Sequence, residues 1–278
     1  MKSVWIAGIA CLLYLPHALH AQFLESNCGT GKLTSNRISN GENAEIGTTP
    51  WMAYLHQNST LVCAGTLITH RFVLTAAHCT STVTVRLGEY DTSTANDCTI
   101  QGCIPAYEDY EPEMAIRHIL YEESQWGYPM TYDIMLIKLK KYVLFKDHIK
   151  PICLLRDPSQ AAFTPRFEAT GWGRTDRDEV AKVLQTVVLT KLDPSECLKS
   201  LGVTLKWGQF CAGDSRGDTC NGDSGGPLVH KMSDGRRTLS IQFGIVSYGH
   251  RSCRGVGVYT DVFSLTNWIF RVVRFYGK

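Results

Sequence analysis

Short apolar runs, and runs that alternate apolar with polar residues, dominate the chain beyond residue 37. Such runs, when they are bounded by Gly, Asp, Asn and Pro, are typical of β-strands and turns. The clearest runs cover residues 61–68, 72–75, 82–87, 134–139, 183–189 and 242–246. Many short strands spread over about 240 residues predict an all-β barrel or sandwich.

One helical pattern occurs, at the C-terminus. Apolar residues recur there three or four positions apart, which places them in one stripe along a helix. The residues are Val262, Leu265, Trp268, Ile269, Val272 and Val273. We expect this stripe to pack on the protein body rather than to bind a membrane.

Residues 1–21 have the layout of a secretory signal peptide. Lys2 precedes an apolar run over residues 4–15, and the small residue Ala21 stands at the expected cleavage site. The alternative is a membrane anchor, but that needs about 20 apolar residues. We therefore expect a secreted, extracellular protein, with no later segment of transmembrane length.

Composition supports a folded secreted chain. The 278 residues are 44% hydrophobic, with a formal charge of +2, which excludes a disordered chain and gives no basic footprint for nucleic acid. Removal of Cys11 with the signal leaves ten of the 11 cysteines, an even number that suits disulfides. No C-x-x-C pair occurs, which disfavours metal binding. We expect neither a metal nor a cofactor.

Three motifs together suggest nucleophilic catalysis. A serine hydroxyl is a poor nucleophile unless a base activates it and a carboxylate orients that base. The chain places Ser224 in GDSGGP (residues 222–227), His78 in TAAHC (75–79) and Asp133 in YDIMLI (132–137), spaced 55 and then 91 residues apart. The glycine-rich stretch lacks the Lys-Ser/Thr ending of a phosphate-binding loop.

With these motifs the chain resembles the chymotrypsin-like (trypsin-fold) serine endopeptidases from residue 38 to the C-terminus. Supporting stretches are PW at 50–51, CAGTLI at 63–68, GWG at 171–173 and GVYT at 257–260. The resemblance implies two packed six-stranded antiparallel β-barrels with a C-terminal α-helix, and a catalytic cleft between the barrels.

The same resemblance implies residue roles. Ser224 would be the nucleophile, His78 the general base and then acid, and Asp133 the group that orients His78. The backbone N–H groups of Gly222 and Ser224 would form the oxyanion hole.

Substrate choice follows from Asp218, six residues before the serine. In the family that the chain resembles, this position is the floor of the primary specificity pocket, where a carboxylate needs a cation as partner and so selects Arg or Lys. Gly249 and Gly257 would line the pocket, and Ser247 would contribute to substrate binding. Asp218 also ends an Arg-Gly-Asp tripeptide, an integrin-recognition motif, but a residue inside a pocket is not displayed for adhesion.

Arg37 and Ile38 match the family's activation site. Cleavage after Arg37 would free the α-amino group of Ile38 to pair with Asp223, leaving residues 22–37 as an activation peptide and 38–278 as the protease domain. The alternative is an ordinary surface loop. No acidic enterokinase-type run precedes the bond, so we expect another Arg-specific protease to cut it.

Spacing alone does not assign the disulfides. The resemblance suggests Cys63–Cys79, Cys197–Cys211 and Cys220–Cys253, with Cys28–Cys153 tethering the activation peptide and Cys98 paired with Cys103. That last local pair, together with RLGEYD at 86–91, resembles the catalytic domains of invertebrate clip-type cascade proteases. We expect no clip domain in residues 22–37, because 16 residues with one cysteine are too few to form one.

Two surface features remain. Glu89 lies in the loop that binds calcium in some family members, and we interpret it as a lone surface glutamate. Asn58 begins an N-glycosylation sequon, Asn58-Ser59-Thr60.

The sequence therefore predicts a secreted zymogen of a trypsin-like serine endopeptidase that cleaves after Arg or Lys. Expected partners are protein substrates, an upstream activating protease and a protein inhibitor, with no nucleic acid and no membrane. The alternative is a catalytically silent homologue acting as a binding cofactor. A digestive role and a role in an extracellular cascade both remain open.

Overall fold

The computed structural model describes residues 23–32, 42–100, 102–123, 130–157, 159, 165–175, 179–214, 219–233, 237–250 and 255–277. The predicted signal peptide and the Arg37–Ile38 bond lie outside these ranges. The strands are β1 Glu42–Asn43, β2 Met52–Gln57, β3 Thr60–Leu67, β4 Phe72–Thr75, β5 Thr84–Leu87, β6 Cys98–Thr99, β7 Gly102–Cys103, β8 Glu108–Tyr110, β9 Pro112–Arg117, β10 Met135–Leu139, β11 Arg166–Gly171, β12 Gln185–Leu192, β13 Gln209–Gly213, β14 Pro227–Ser233, β15 Thr238–Gly249 and β16 Gly257–Asp261. The helices are α1 Pro194–Leu201 and α2 Val262–Tyr276.

The C-terminal half forms a closed six-stranded barrel. Its order is β12-β11-β14-β15-β16-β13, a pairing of β12 with β13 closes the ring, and β1 adds to β12 from outside. All these pairings are antiparallel. Apolar side chains fill the interior, with Leu189, Leu228 and Tyr259 each at most 1% exposed.

The N-terminal half forms a seven-stranded sheet in the order β8-β5-β2-β3-β4-β10-β9. Within the described residues no ladder joins the two edges, which differs from the six-stranded barrel that the resemblance implies. The two edge strands, β8 and β9, follow one another within residues 108–117. Glu111 separates them, and Pro112 is the first residue of β9. Because proline has no N–H to donate to a neighbouring strand, the strand is interrupted before Pro112. The part before the interruption pairs at one edge of the sheet, and the part after it pairs at the other edge. The mostly β architecture is confirmed, with one closed six-stranded barrel, a second sheet that is open in the described residues, and a C-terminal helix.

Helix α2 joins the two halves. It follows β16 of the C-terminal barrel, and the Asp261 side chain accepts the Phe263 N–H at its start, as an N-cap does. Its stripe residues Val262, Leu265 and Ile269 belong to the buried cluster of the N-terminal half. The predicted stripe thus packs on the body. Neither helix of the described ranges has the length and apolarity needed to cross a membrane.

Four disulfides join pairs of described cysteines: Cys28–Cys153, Cys63–Cys79, Cys98–Cys103 and Cys197–Cys211. Cys220 is also disulfide-bonded, while Cys253, the partner that we expect for it, lies outside the described residues.

The described part of the expected activation peptide is packed on the body. The N–H of Leu24 donates to Leu154 O at 3.0 Å, that of Gly29 donates to Pro151 O at 2.8 Å, and that of Ser240 donates back to Gly29 O at 2.9 Å. The Cys28 disulfide lies between these contacts. Residues 23–32 are therefore held by both covalent and backbone interactions.

Asn58 and Ser59 form the two-residue turn between β2 and β3. Their φ angles are 48° and 64°, the left-handed values that a two-residue hairpin of this kind requires and that asparagine tolerates well. Both residues are exposed. Asn58 thus has a structural role of its own, besides its place in the sequon.

Candidate active site

Strand pairing brings His78 and Asp133 together across 55 residues of sequence. The end of β4 pairs with the start of β10, with Thr75 opposite Met135. His78 follows Thr75 by three residues and Asp133 precedes Met135 by two, so both lie just beyond the same end of this strand pair. Asp133 Oδ2 lies 2.8 Å from His78 Nδ1, and Asp133 Oδ1 accepts the His78 backbone N–H at 2.9 Å.

The Asp133 carboxylate is 1% exposed and has further donors. The Ser247 hydroxyl donates to Oδ2 at 2.5 Å, and the Thr260 hydroxyl donates to the Asp133 carbonyl at 2.9 Å. Burial by itself would raise the pKa of Asp133. Hydrogen bonds from His78 and Ser247, together with electrostatic attraction to His78, outweigh burial and hold that pKa below its usual value. Asp133 is therefore ionised at neutral pH.

Ser224 is held between the two halves of the molecule. Its carbonyl accepts the N–H of Ala64 on β3 at 2.8 Å, and the next N–H, that of Gly225, donates to Val246 on β15 at 2.9 Å. The Ser224 carbonyl oxygen also lies 3.8 Å from the Sγ of Cys79, the residue after His78. The Ser224 backbone therefore lies beside the loop that carries the His78–Asp133 pair.

Glycines permit this close approach of the serine loop. Gly225 has a φ of 80°, and a Cβ there would lie 2.0 Å from the Thr75 hydroxyl. Gly222 has a φ of 101°, and a Cβ there would lie 3.0 Å from Gly173. Neither position accepts a larger residue without movement of the backbone.

Two backbone donors of this loop have no protein acceptor among the described residues. The N–H of Asp223 donates to Cys220 and that of Gly226 donates to Asp223, but the N–H groups of Gly222 and Ser224 donate to no described group. These are the two donors that the resemblance assigns to the oxyanion hole. Their position on either side of Asp223 leaves them available to an incoming oxygen.

The Asp223 carboxylate lies in a cradle formed by the GWG segment. Its oxygens accept the N–H of Gly173 and that of Cys220, each at 2.8 Å. A Cβ at Gly171 would lie 2.1 Å from Asp223 Oδ1, and one at Gly173 would lie 2.3 Å from Oδ2. Both glycines of that segment therefore make room for this carboxylate, a reason that the sequence did not reveal. The expected partner of Asp223, Ile38, lies outside the described residues.

The expected specificity residues fall partly within the structure. Gly249 on β15 pairs with Gly257 on β16, so the two glycines lie side by side on neighbouring strands. Ser247 is 3% exposed and bonded to Asp133, a contact that sequence reasoning missed when it assigned Ser247 to substrate binding. Asp218 lies outside the described residues.

Two other groups bear on metal binding. Ligand atoms of His78, Cys63 and Cys79 lie within 4.8 Å of one another, but the two cysteines form a disulfide and offer no thiolate.

The interpretation of Glu89 as a surface residue is wrong, because it is 5% exposed. Glu89 accepts from Arg86 at 3.2 Å and from the Tyr90 N–H at 2.9 Å. Burial and the nearby Asp97 raise the pKa of Glu89.

Comparison with known proteins shows the family to which the chain is similar. The family model described as Trypsin matches residues 38–269. The Spaetzle-processing enzyme of Drosophila melanogaster is 34% identical over 88% of this chain and 68% of its own length. Melanization protease 1 of the same fly is 36% identical over 89% and 68%. The crystal structure of the Drosophila Grass clip serine protease of the Toll pathway is 32% identical over 89% and 75%, with a TM-score of 0.76.

The Ser247 bond gives a pH-dependent prediction. Because that hydroxyl stabilises the ionised Asp133 carboxylate, Ser247→Ala should lower the free energy of unfolding by about 2 kcal/mol at neutral pH. A depressed carboxylate pKa contributes stability above the unfolded-state value of about 4, and that stability is lost as pH falls through the folded-state pKa. The deficit should therefore shrink towards pH 3, as measured by urea unfolding.

Thr260→Val is the matched control for this measurement. It removes a hydroxyl bonded to the uncharged carbonyl of the same residue, so its cost should not depend on pH. Equal pH dependence in the two variants would contradict the assignment of the Ser247 effect to the Asp133 charge.

Proposed function

The chain belongs to the trypsin family of serine proteases, and from that premise we propose that it is a secreted zymogen that hydrolyses peptide bonds after Arg or Lys once it is cut behind Arg37. The observation that carries this proposal is the buried His78–Asp133 pair beside the Ser224 loop. The alternative, a catalytically silent homologue that serves as a binding cofactor, has no need of such a pair.

The hydrogen bond to Asp133 sets the state of the His78 ring. His78 Nδ1 carries the proton that it donates to Asp133, which leaves Nε2 with a lone pair for the Ser224 hydroxyl. As Ser224 Oγ attacks the substrate carbonyl, its proton passes to Nε2, and the ionised Asp133 stabilises the resulting imidazolium. His78 then returns the proton to the leaving amine, and water hydrolyses the acyl-enzyme by the same route.

The backbone donors of Gly222 and Ser224 bind the oxygen that becomes negative in the tetrahedral intermediate. Each such donor is typically worth about 3 kcal/mol of transition-state stabilisation. The positive φ angles of Gly222 and Gly225, which glycine adopts readily, set the course of the backbone on both sides of Ser224.

Specificity for Arg or Lys comes from Asp218 at the floor of the pocket, with Gly249 and Gly257 on its wall. Pairing of these two glycines across β15 and β16 supports the placement of the wall. Without side chains there, a long cationic side chain reaches the carboxylate.

Activation proceeds by removal of residues 1–21 as a signal and cleavage between residues 22–37 and 38–278. The Ile38 amine then pairs with Asp223, next to the nucleophile. The packing of residues 23–32 and the Cys28–Cys153 disulfide support retention of the cleaved peptide as a tethered light chain.

The names of the relatives favour a role in an extracellular cascade over digestion. Spaetzle-processing enzyme, Melanization protease 1 and a clip protease of the Toll pathway are similar along nearly nine tenths of this chain. We infer that the partners are a protein substrate, an upstream protease that cuts after Arg37, and a protein inhibitor.

The central test uses the secreted protein, nicked after Arg37 by an immobilised protease, on peptides that end in Arg, Lys, Phe or Leu. Wild type should turn over the Arg and Lys peptides, because the pocket pairs a cation. Ser224→Ala should lose activity by about a million-fold, since it removes the nucleophile, and Arg37→Gln should remain inactive. No turnover despite a free Ile38 amine would favour the silent homologue.

Asp218→Ser tests the pocket separately from the catalytic groups. The variant should lose its preference for Arg and Lys by at least about 100-fold in kcat/KM, because the cation has no partner, while still reacting with a small acylating inhibitor. Retained Arg preference would show that another carboxylate lines the pocket.

We also propose that Asn58 carries an N-linked glycan at the exposed tip of the β2–β3 hairpin. Replacing Asn58 itself would disturb a left-handed turn, so Thr60→Val is the better variant, since it destroys the sequon and keeps the turn. Wild type from a eukaryotic secretory host should shift in mobility on deglycosylation and Thr60→Val should not. The proposal fails when neither protein shifts.

A further inference from the structure

The residue before Asp133 has an unusual backbone conformation. Tyr132 has a φ of 48°, a left-handed value that residues with bulky side chains rarely adopt. Among the described non-glycine residues, Asn58 and Ser59 also have positive φ, and there a hairpin turn accounts for it. Tyr132 has no such explanation, and it immediately precedes the carboxylate that binds His78.

Asp133 forms the middle of a tight turn. The N–H of Ile134 donates to the carbonyl of Tyr132 at 2.8 Å, which is the hydrogen bond of a three-residue γ-turn. The direction of the Asp133 side chain therefore depends on the peptide plane between Tyr132 and Asp133. A change of Tyr132 to a negative φ would rotate that plane and redirect both carboxylate oxygens.

Ring packing holds Tyr132 in place. Its ring stacks on the His118 imidazole, with centroids 4.7 Å apart and an interplanar angle of 9°. Trp207, from the segment before β13, lies 5.5 Å away at 42°. His118 in turn lies 5.1 Å from Trp268 of α2. The Tyr132 ring thus contacts groups from both halves of the molecule.

His118 also binds the far side of the same turn. Its backbone N–H donates to the Ile134 carbonyl at 3.1 Å. One residue therefore fixes the turn twice, through its ring at Tyr132 and through its backbone at Ile134. This double attachment over-determines the turn, as is required where a strained conformation persists.

We propose that Tyr132 is a positioning residue: its left-handed backbone, held by the His118 stack, directs the Asp133 carboxylate at His78. This inference rests on the proposed function. Tyr132 acts through Asp133 and needs no contact with substrate. A tyrosine that merely supported the fold would alter overall stability without a selective effect on the Asp133–His78 hydrogen bond.

Two substitutions separate backbone conformation from the ring. Tyr132→Val and Tyr132→Asn both remove the aromatic stack, but asparagine tolerates a left-handed φ and β-branched valine does not. Any difference between the two reports on the backbone. Tyr142→Val is the control, because this tyrosine is 62% exposed and its nearest aromatic contact is 6.5 Å away.

The first readout is turnover of the Arg peptide by activated protein. Tyr132→Val should lower kcat by at least about tenfold with little change in KM, because a misplacement of about 1 Å costs on the order of 100-fold. Tyr132→Asn should stay within about threefold of wild type, and Tyr142→Val should match wild type. A loss in kcat shared equally by Val and Asn would overturn the backbone argument.

The second readout needs no catalysis. In a Ser224→Ala background, the proton between His78 Nδ1 and Asp133 Oδ2 should give a low-field proton NMR resonance, as charge-assisted hydrogen bonds do. We expect Tyr132→Val to shift or broaden it, and Tyr132→Asn and Tyr142→Val to preserve it. An unchanged resonance in Tyr132→Val overturns the inference.

The two readouts distinguish this inference from the proposed function. Absence of turnover in activated wild type contradicts the proposed function. The His78–Asp133 proton resonance, measured in the Ser224→Ala background, still tests whether Tyr132 positions Asp133. Should Tyr132→Val fail to fold, Trp207→Ala takes its place, since this ring is 60% exposed and removing it spares the core. It should weaken the same resonance, and no effect on the resonance overturns the inference.

Discussion

The rest of the site depends on how the protein stabilises the buried, charged carboxylate of Asp133. An ionised group that is 1% exposed persists only when donors replace the water that it has lost. Two donors belong to His78 in the N-terminal half, and the Ser247 hydroxyl comes from β15 of the C-terminal barrel. The full set of donors to this charge is therefore present only when the two halves are packed together.

A second carboxylate, that of Asp223, is bound in a different way. It lies against the N–H groups of Gly173 and Cys220, in space that exists because residues 171 and 173 have no side chains. Around Asp133 the protein supplies side-chain donors, whereas around Asp223 it supplies backbone donors and room. The donors around Asp133 hold its carboxylate against His78. The backbone donors around Asp223 hold the loop that contains Ser224, in which the N–H groups of Gly222 and Ser224 donate to no described group.

Segments that are distant in the sequence contribute to the site. The Ser224 loop is held by Ala64 from one half and Val246 from the other, and helix α2 extends from the second barrel onto the core of the first. Residues 23–32 pack on the same body and are tied to it at Cys153. Under the proposed activation, cleavage behind them would leave the two chains joined through this disulfide.

The sequence by itself determined the strand-rich architecture, the C-terminal apolar stripe and the candidate catalytic residues. Those features are local: alternation, turn residues and short motifs such as GDSGGP each lie within one stretch of chain. Tertiary structure alone decided that Ser247 and Thr260 bind Asp133, that Glu89 is buried, that Pro112 divides an edge strand and that Tyr132 adopts a left-handed backbone. Each of these depends on strand register and on packing between segments far apart in sequence, where a shift of one residue would place every side chain on the opposite face.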